Sequence, residues 1–198
     1  MAKQPEQRCD QVLDAAERLF QHYGPQKTTV ADIAREAEVG VGTVYLEFSS
    51  KNAIIEALSE RRYKNVLEQM KKAAKKKRLT WSQKLEKMLQ ARAKGFLTVA
   101  TGGTHATDLV KNTCKAVYKV RCWFETREQA LLVEVLEGGK EAGEFHVDDL
   151  EQTASVLQQA LASFSPPYIY KHHPDDLSEQ LKLLHQLLIR GLQTPSIS

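Results

Sequence analysis

Apolar residues recur at intervals of three and four along nearly the whole chain, and this spacing constrains the fold more than any other feature of the sequence. An α-helix places residues spaced in this way on one face, whereas a half-buried strand needs strict alternation. Near the amino terminus the helical spacing is followed by Val12, Ala16, Leu19, Phe20 and Tyr23. We find no convincing alternating stretch in the 198 residues. The sequence therefore predicts an all-α fold.

The helical pattern is interrupted twice between residues 24 and 50. Gly24, followed by proline, is predicted to end the first helix in the left-handed conformation that glycine adopts easily. Thr29 is predicted to begin the second helix as its N-cap, with Asp32 completing a capping box. The glycine-bearing segment 38–42 then separates this helix from a third that runs to Phe48. Two short helices joined by a tight turn form a helix-turn-helix unit, whose second helix enters the DNA major groove.

The same segment resembles the DNA-binding domain of the TetR (tetracycline repressor) family of bacterial regulators. The resemblance covers about the first quarter of the chain and rests on Thr28-Thr29, Asp32-Ile33-Ala34, Ala37, Val39, Gly42-Thr43-Val44-Tyr45, Phe48 and Ser50-Lys51. It implies a three-helix DNA-binding domain over residues 1–50 and a connecting helix over 51–78. A larger helical domain over 79–198 would bind a small-molecule effector and form the dimer. The protein would be a dimeric regulator, most often a repressor, that the effector releases from its DNA operator.

The resemblance also implies a DNA-binding set, which comprises Thr28, Thr29, Val41, Gly42, Thr43, Tyr45, Glu47 and Lys51. The two residues at positions 28 and 29 would offer a hydroxyl or a backbone N–H group to a phosphate. Gly42 and Thr43 would sit where the recognition helix meets base edges. Tyr45 would place its hydroxyl on the DNA backbone, and Lys51 would pair with a phosphate. Val39, Val44 and Phe48 would hold the recognition helix against its partners.

Two positions depart from the pattern of the family. Val41 stands where polar or cationic side chains are common, and it can touch a thymine methyl group but cannot donate a hydrogen bond. Glu47 is unfavourable near phosphates unless its carboxylate accepts from the N4 amine of a cytosine. The sequence therefore leaves the operator unidentified.

From Thr80 onward the spacing predicts a series of further helices. Thr80 is predicted to cap the first of them, which would end at Gly102-Gly103, and residues 104–112 form a shorter one. A long helix follows and is predicted to break at Gly138-Gly139. Asp148 is predicted to cap the next helix, and a leucine-rich helix over residues 175–192 closes the series. This region is too long and too apolar to serve as a linker.

The apolar faces of the last two predicted helices, near residues 149–164 and 175–192, are broad enough to cover both their own domain and a second copy. We expect a four-helix dimer interface that includes Val156, Leu181, Leu184 and Leu188. A dimer suits DNA recognition, because two recognition helices can then meet half-sites about one helical turn apart. The alternative, that these residues are only intramolecular core, stays open.

An effector pocket is predicted from aromatic and polar residues of the same region, because small-molecule sites mix such groups. The candidates are Phe96, His105, Tyr118, Trp123, Phe124, Phe164, Tyr168 and Tyr170. Trp123, which lies beside Arg121 and Glu125, is the preferred one. Each candidate has ordinary core packing as its alternative.

Charge and composition bear on the possible partners. Residues 1–78 carry 15 Lys/Arg and 11 Asp/Glu, a net charge of +4, and the remainder carries −1. An excess of positive charge at the front is expected of a part that meets a polyanion. No stretch approaches the ~18 apolar residues of a spanning helix, so no membrane partner is predicted.

Several other classes of protein find little support in the sequence. The three cysteines are an odd number with no C-x-x-C pair, which favours free thiols in a reducing cytoplasm over disulfides or a zinc site. No hydrolase, P-loop, metalloprotease or dinucleotide motif occurs in the sequence. Glu125 and Glu128 are interpreted as carboxylates on the surface of a helix, and His172-His173 are interpreted as surface histidines. We therefore expect no cofactor and no metal. The alternatives are a helical enzyme, or an interaction protein in which the helix-turn-helix is only structural.

Overall fold

The computed structural model of the chain describes residues 5–100, 115–166, 168–171 and 174–193. Within these ranges it contains eight α-helices, which are α1 (Pro5–Tyr23), α2 (Val30–Glu36), α3 (Val41–Glu47), α4 (Lys51–Ala74), α5 (Trp81–Ala100), α6 (Lys115–Glu141), α7 (Leu150–Ala160) and α8 (Pro174–Leu192). Two short 3-10 helices lie between α7 and α8. The described residues form no β-strand, only an isolated bridge between Phe145 and Gln193. The all-α prediction is confirmed. The helix predicted within residues 104–112 lies outside the described residues.

The chain packs as two compact units. The amino-terminal unit consists of Met1–Arg62 and Val99–Val120, and the carboxy-terminal unit consists of Tyr63–Thr98 and Arg121–Ser198. The division falls inside α4, which contributes its first turns to one core and its later turns to the other.

The first helices begin and end where local signals predict. Gly24 has a φ of +79° and donates its N–H group to the Phe20 carbonyl at 3.1 Å, so it ends α1 in the left-handed conformation. Thr29 is the N-cap of α2, and its hydroxyl accepts from the backbone N–H of Asp32 at 3.1 Å. The Asp32 carboxylate in turn accepts from the backbone N–H of Thr29 at 3.0 Å, which completes the predicted capping box. Ser50 accepts from the Ala53 N–H and caps α4.

The core of the amino-terminal unit holds α3 in place. Val44 is fully buried and Phe48 is 7% exposed, and both pack with Phe20 of α1 and Ile33 of α2 in one apolar cluster. Val39 is partly buried against the same cluster, so the predicted core role of the aliphatic and aromatic residues around α3 is confirmed. Burial of these side chains fixes which face of the short α3 can point outward.

A left-handed residue closes the turn between α2 and α3. It is Glu38, with a φ of +54°. Gly40 is the extended N-cap residue of α3, with a φ of −69°. Left-handed backbone costs a non-glycine residue about 1–2 kcal/mol. The backbone N–H of Val39 compensates in part by donating to the Ala34 carbonyl at 2.9 Å, which closes the corner.

The carboxy-terminal unit is anchored at the start of α5. The hydroxyl of Thr80 accepts from the Gln83 N–H at 3.2 Å, which confirms Thr80 as the predicted cap. The Glu144 carboxylate accepts from the backbone N–H groups of Trp81 and Ser82, each at 3.0 Å. Burial alone raises the pKa of Glu144, but the combined hydrogen bonds from α5 lower it below its ordinary value. An ionised carboxylate therefore caps α5 from a distant loop.

Two predicted helix boundaries of this unit are wrong. The helix α6 does not break at Gly138-Gly139 but runs on to Glu141. A Cβ at Gly138 would overlap the Trp81 indole, and one at Gly139 would overlap the Phe145 ring, so these glycines allow close packing and do not end the helix. The N-cap of α7 is Asp149 and not its predecessor, because the Asp149 carboxylate accepts from the Gln152 N–H at 2.9 Å.

Candidate nucleic-acid interface and effector cavity

The outward face of α3 carries apolar and hydroxyl groups. Leu46 is 85% exposed, Tyr45 is 54% exposed and Val41 is 42% exposed, and Gly42 is exposed beside them. Thr43 is half-buried. Gly42 and Leu46 lie about 200° around the helix from the buried Val44. The packing of the core therefore leaves the predicted recognition helix accessible from outside. We call Val41, Gly42, Thr43, Tyr45 and Leu46 the recognition surface.

Leu46 is absent from the predicted set although it is the most exposed large side chain of α3. In a helix it lies about 200° from Val44 and one turn beyond Gly42. This angle could have been read from the sequence, since residues 44 and 48 were already assigned to the core.

The two threonines before α2 differ in their surroundings. Thr29 is exposed, with its hydroxyl engaged by Asp32 in the capping box. Thr28 is only 2% exposed, and its hydroxyl donates to the Gly24 carbonyl at 2.8 Å. The hydroxyl of Thr28 is therefore used inside the fold and is not presented to a phosphate. Thr28 was expected to offer either its hydroxyl or its backbone N–H group to a phosphate. Of these two groups, only the backbone N–H remains.

Lys51 has a different partner from the predicted phosphate. Its Nζ donates to the Pro25 carbonyl at 2.6 Å and to the Thr28 carbonyl at 3.0 Å. The side chain ties the start of α4 to the loop between α1 and α2. Because two of its three donors are bound to backbone groups, the structure gives Lys51 a structural role at this position.

Glu47 also turns away from the recognition surface. Its carboxylate accepts from the Cys9 thiol at 3.8 Å and lies 4.0 Å from the Arg8 Nε, and both partners belong to α1. Burial, and then the negative charge of Glu47, raise the pKa of the Cys9 thiol. The predicted contact between Glu47 and a cytosine is therefore not supported. With Glu47 engaged, the exposed side chains of α3 include no charged group and no amide.

A cavity of about 240 Å³ lies in the carboxy-terminal unit. Phe96 and Tyr168, two of the predicted pocket residues, line it together with Phe124 and Tyr63. The rings of Tyr63, Phe96 and Phe124 meet each other at centroid distances of 5.0–5.6 Å. An aromatic wall therefore faces polar groups from α6 and α7, a combination that suits a small organic molecule.

The other pocket candidates lie elsewhere. Trp123 is half-buried and stacks under the Arg127 guanidinium at 4.4 Å, while its neighbours Arg121 and Glu125 do line the cavity. Phe164 does not line the cavity, and Tyr118 belongs to the amino-terminal unit, where it is 55% exposed. His105 and the side chain of Tyr170 lie outside the described residues.

A buried ion pair forms the polar floor of the cavity. Arg92 is 3% exposed and Glu128 is fully buried, and the Arg92 Nε donates to the Glu128 carboxylate. The same carboxylate accepts from the Gln158 Nε2 at 2.9 Å, and Arg92 also donates to the Ser165 hydroxyl at 2.7 Å. The interpretation of Glu128 as a surface carboxylate is wrong. Its partner Arg92 is 36 residues away in the sequence, where local spacing cannot identify it.

His185 of α8 is a further buried polar residue and is 5% exposed. Burial, followed by the positive charge of Arg92, lowers the pKa of His185 to about 4. Its Nε2 has no hydrogen-bond partner among the described groups. The imidazole is therefore neutral at pH 7.

The buried neutral His185 predicts a pH dependence of stability. In the unfolded chain this histidine binds a proton below about pH 6.5, whereas the folded protein does not bind it until about pH 4. The contribution of His185 to the free energy of unfolding is therefore fully present above pH 6.5. It is lost progressively as the pH falls towards 4, and the total loss is about 2–3 kcal/mol. Urea unfolding across this range should show the loss in the natural protein and not in His185→Gln. Parallel stability curves for the two proteins would contradict the assignment.

The predicted dimer residues divide into two groups. Val156 of α7 is 56% exposed, and Leu184 and Leu188 of α8 are half-buried. Leu181 is 4% exposed, so its assignment to the interface is wrong and it belongs to the core. Two leucines that were not predicted, Leu183 and Leu187, are 58% and 59% exposed. We call Val156, Leu183 and Leu187 the apolar surface of α7 and α8.

Neither a metal site nor a spanning helix is found in the described part of the chain. No group of three or more histidine, cysteine, aspartate or glutamate side chains is placed there to hold a metal ion. Among the same residues, no helix combines the length and the apolar character that crossing a membrane requires.

Comparison with known proteins gives a consistent match. The sequence model of the family described as "Bacterial regulatory proteins, tetR family" matches residues 12–58. The HTH-type transcriptional regulator YvdT of Bacillus subtilis is 38% identical over 71 residues, which are 36% of this chain and 37% of that one. The A-factor receptor protein of Streptomyces griseus is 37% identical over 62 residues, 30% of this chain and 22% of that one. The chain thus spans well under half the length of these relatives.

The likeness of fold extends further than the likeness of sequence. A transcriptional regulator from Cytophaga hutchinsonii has a crystal structure that aligns with a TM-score of 0.78 at 20% identity, over 93% of this chain and 98% of that one. At this identity the match concerns the fold alone. The sequence match covers the helix-turn-helix at residues 12–58, and the fold of the chain is like that of a solved transcriptional regulator: over its amino-terminal segment the chain is similar to the TetR family of bacterial regulatory proteins.

Proposed function

We propose that the protein binds double-stranded DNA at specific sequences and regulates transcription, as a repressor that a small molecule releases from its operator. The observation that carries the proposal is the recognition surface of α3, which the buried Val44 and Phe48 hold outward. Tyr45 is accessible, as a contact to the DNA backbone requires. Such a protein acts in the cytoplasm, where its DNA lies.

The active form is proposed to be a homodimer. The apolar surface of α7 and α8 supports this, because three large aliphatic side chains that are each more than half exposed gain from burial against a second copy. A two-fold symmetric dimer presents two copies of α3 and matches an operator made of two half-sites.

The cavity in the carboxy-terminal unit is proposed to bind the effector. Its aromatic wall and its buried Arg92–Glu128 pair supply apolar contact and orienting polar groups. One relative is named as the A-factor receptor protein, and a receptor among the relatives supports effector binding in this chain. To release DNA, the effector must bind the DNA-competent and DNA-incompetent forms with unequal affinity.

A gel-shift assay against the DNA that flanks the coding region tests the proposal. We expect a specific shift that Tyr45→Ala weakens by about 1–2 kcal/mol, nearly independently of base sequence, because the residue contacts the backbone. Tyr45→Phe would isolate the contribution of the hydroxyl. Tyr118→Ala is a matched control, since Tyr118 is 55% exposed but lies on α6 and does not line the cavity.

The same assay distinguishes the competing classes. If the folded protein shifts no DNA more tightly than random duplex at physiological salt, the regulator is contradicted and the helix-turn-helix is only structural. Equal binding by the natural protein and Tyr45→Ala would contradict the role of Tyr45 alone.

A further inference from the structure

The recognition surface lacks the side chains that most often read bases. Specific contacts to guanine usually come from arginine or lysine, and contacts to adenine from asparagine or glutamine. The exposed residues of α3 include none of these, and its only charged residue, Glu47, is bound to Arg8 and Cys9 of α1. What α3 presents instead are the hydroxyl groups of Thr43 and Tyr45 and two aliphatic side chains, of which Leu46 is the most exposed.

Gly42 provides a second observation at the same place. It lies one turn before Leu46, on the same outward row of the helix. Its backbone does not have a positive φ, and a Cβ there would meet nothing within 4 Å. Nothing around Gly42 in the folded chain requires a glycine rather than a residue with a side chain. A bare backbone at this point leaves room for an external partner to approach α3 closely.

We propose that Leu46 reads a thymine 5-methyl group in each half-site, with Gly42 giving the base edge access to the helix. In the major groove the 5-methyl group of thymine is the apolar feature that distinguishes one base from the others, so it is the natural partner of an aliphatic side chain. Val41, 42% exposed at the start of α3, is the other aliphatic group that can meet a methyl. The inference rests on the proposed DNA binding and names the chemistry by which the operator is recognised.

The test begins with the full-length protein and a library of random-sequence duplexes, from which bound DNA is selected. The selected duplex is then made with deoxyuridine in place of each thymidine in turn, which removes one methyl group and leaves every hydrogen-bonding group unchanged. Burial of one methyl group accounts for about a fourfold change in affinity. We expect one such position in each half-site to show a loss of this size.

Variants at Leu46 assign the contact. Leu46→Ala should bind the thymidine and deoxyuridine duplexes within twofold of each other, whereas Leu46→Met should keep most of the difference. Replacing the sensitive thymine by cytosine should weaken binding, and 5-methylcytosine should recover part of the loss in the natural protein but not in Leu46→Ala. Because Leu46 is 85% exposed, these variants should fold, which a thermal melt checks.

The possible failures are distinguishable. If no duplex is enriched, the proposed DNA binding itself is contradicted. If duplexes are enriched but no deoxyuridine substitution changes affinity by twofold, DNA binding stands and methyl recognition is overturned. If the sensitivity persists undiminished in Leu46→Ala, another residue reads the methyl group and the assignment to Leu46 is overturned.

Discussion

Replacing Glu128 by alanine is expected to lower the free energy of unfolding by about 3–5 kcal/mol. Glu128 is fully buried and accepts hydrogen bonds from Arg92 and Gln158. Without the Glu128 carboxylate, the guanidinium of Arg92 would keep its positive charge with no negative partner beside it. Arg92 is only 3% exposed, so water could not take the place of that partner. Urea unfolding followed by circular dichroism should therefore show a large fall in the midpoint.

Glu125 provides a matched control on the same helix. Its side chain is 46% exposed and lies 3.4 Å from Arg121, and an exposed pair of this kind contributes about 0–1 kcal/mol. The double variant Arg92→Leu with Glu128→Leu should recover most of the lost stability, because it removes both buried charges together. Equal unfolding midpoints for Glu128→Ala and Glu125→Ala would show that the buried pair is not the source of the effect.

Introducing glutamate at both Leu183 and Leu187 is expected to convert the proposed homodimer to a monomer. The two leucines are 58% and 59% exposed, so the charges should leave the fold intact while placing carboxylates where a second copy would pack. A monomer loses the gain of binding two half-sites at once, so its affinity for the operator should fall by about 10²–10⁴-fold. Light scattering measures the mass, and a gel shift measures the affinity.

Lys182 and Gln186 serve as the control pair for this experiment. Both are exposed on α8 with the same spacing of four residues, but they lie one position away from the apolar surface of α7 and α8. Glutamate at these two sites should leave the mass and the affinity nearly unchanged. A Leu183→Glu and Leu187→Glu protein that is still dimeric would contradict the interface.

Local signals predicted the features that depend on nearby residues. The left-handed Gly24, the Thr29–Asp32 capping box and the Thr80 cap each involve partners within four residues along the chain. On the recognition surface, Val41, Gly42, Thr43 and Tyr45 were implied by the resemblance to the TetR family and not by local spacing. Leu46 is outside the residues that carry the resemblance, although the helical period places it opposite the buried Val44.

The side chains whose assignments changed have partners far along the chain. Lys51 binds carbonyl groups 23 and 26 residues earlier, and Glu47 binds a thiol 38 residues earlier. Glu128 pairs with Arg92 across 36 residues. Local spacing cannot identify such partners, because it describes the face of a helix and not the element packed on that face.

By itself, the sequence determined that the chain is helical, that its start forms a helix-turn-helix, and that apolar faces are available near its end. Only the tertiary structure decided which of those faces is buried inside the chain. On α8 the leucines occupy more than one face, and packing buries Leu181 while leaving Leu183 and Leu187 exposed. The physical reason is that helical periodicity follows from local backbone geometry, whereas burial depends on which distant elements pack together.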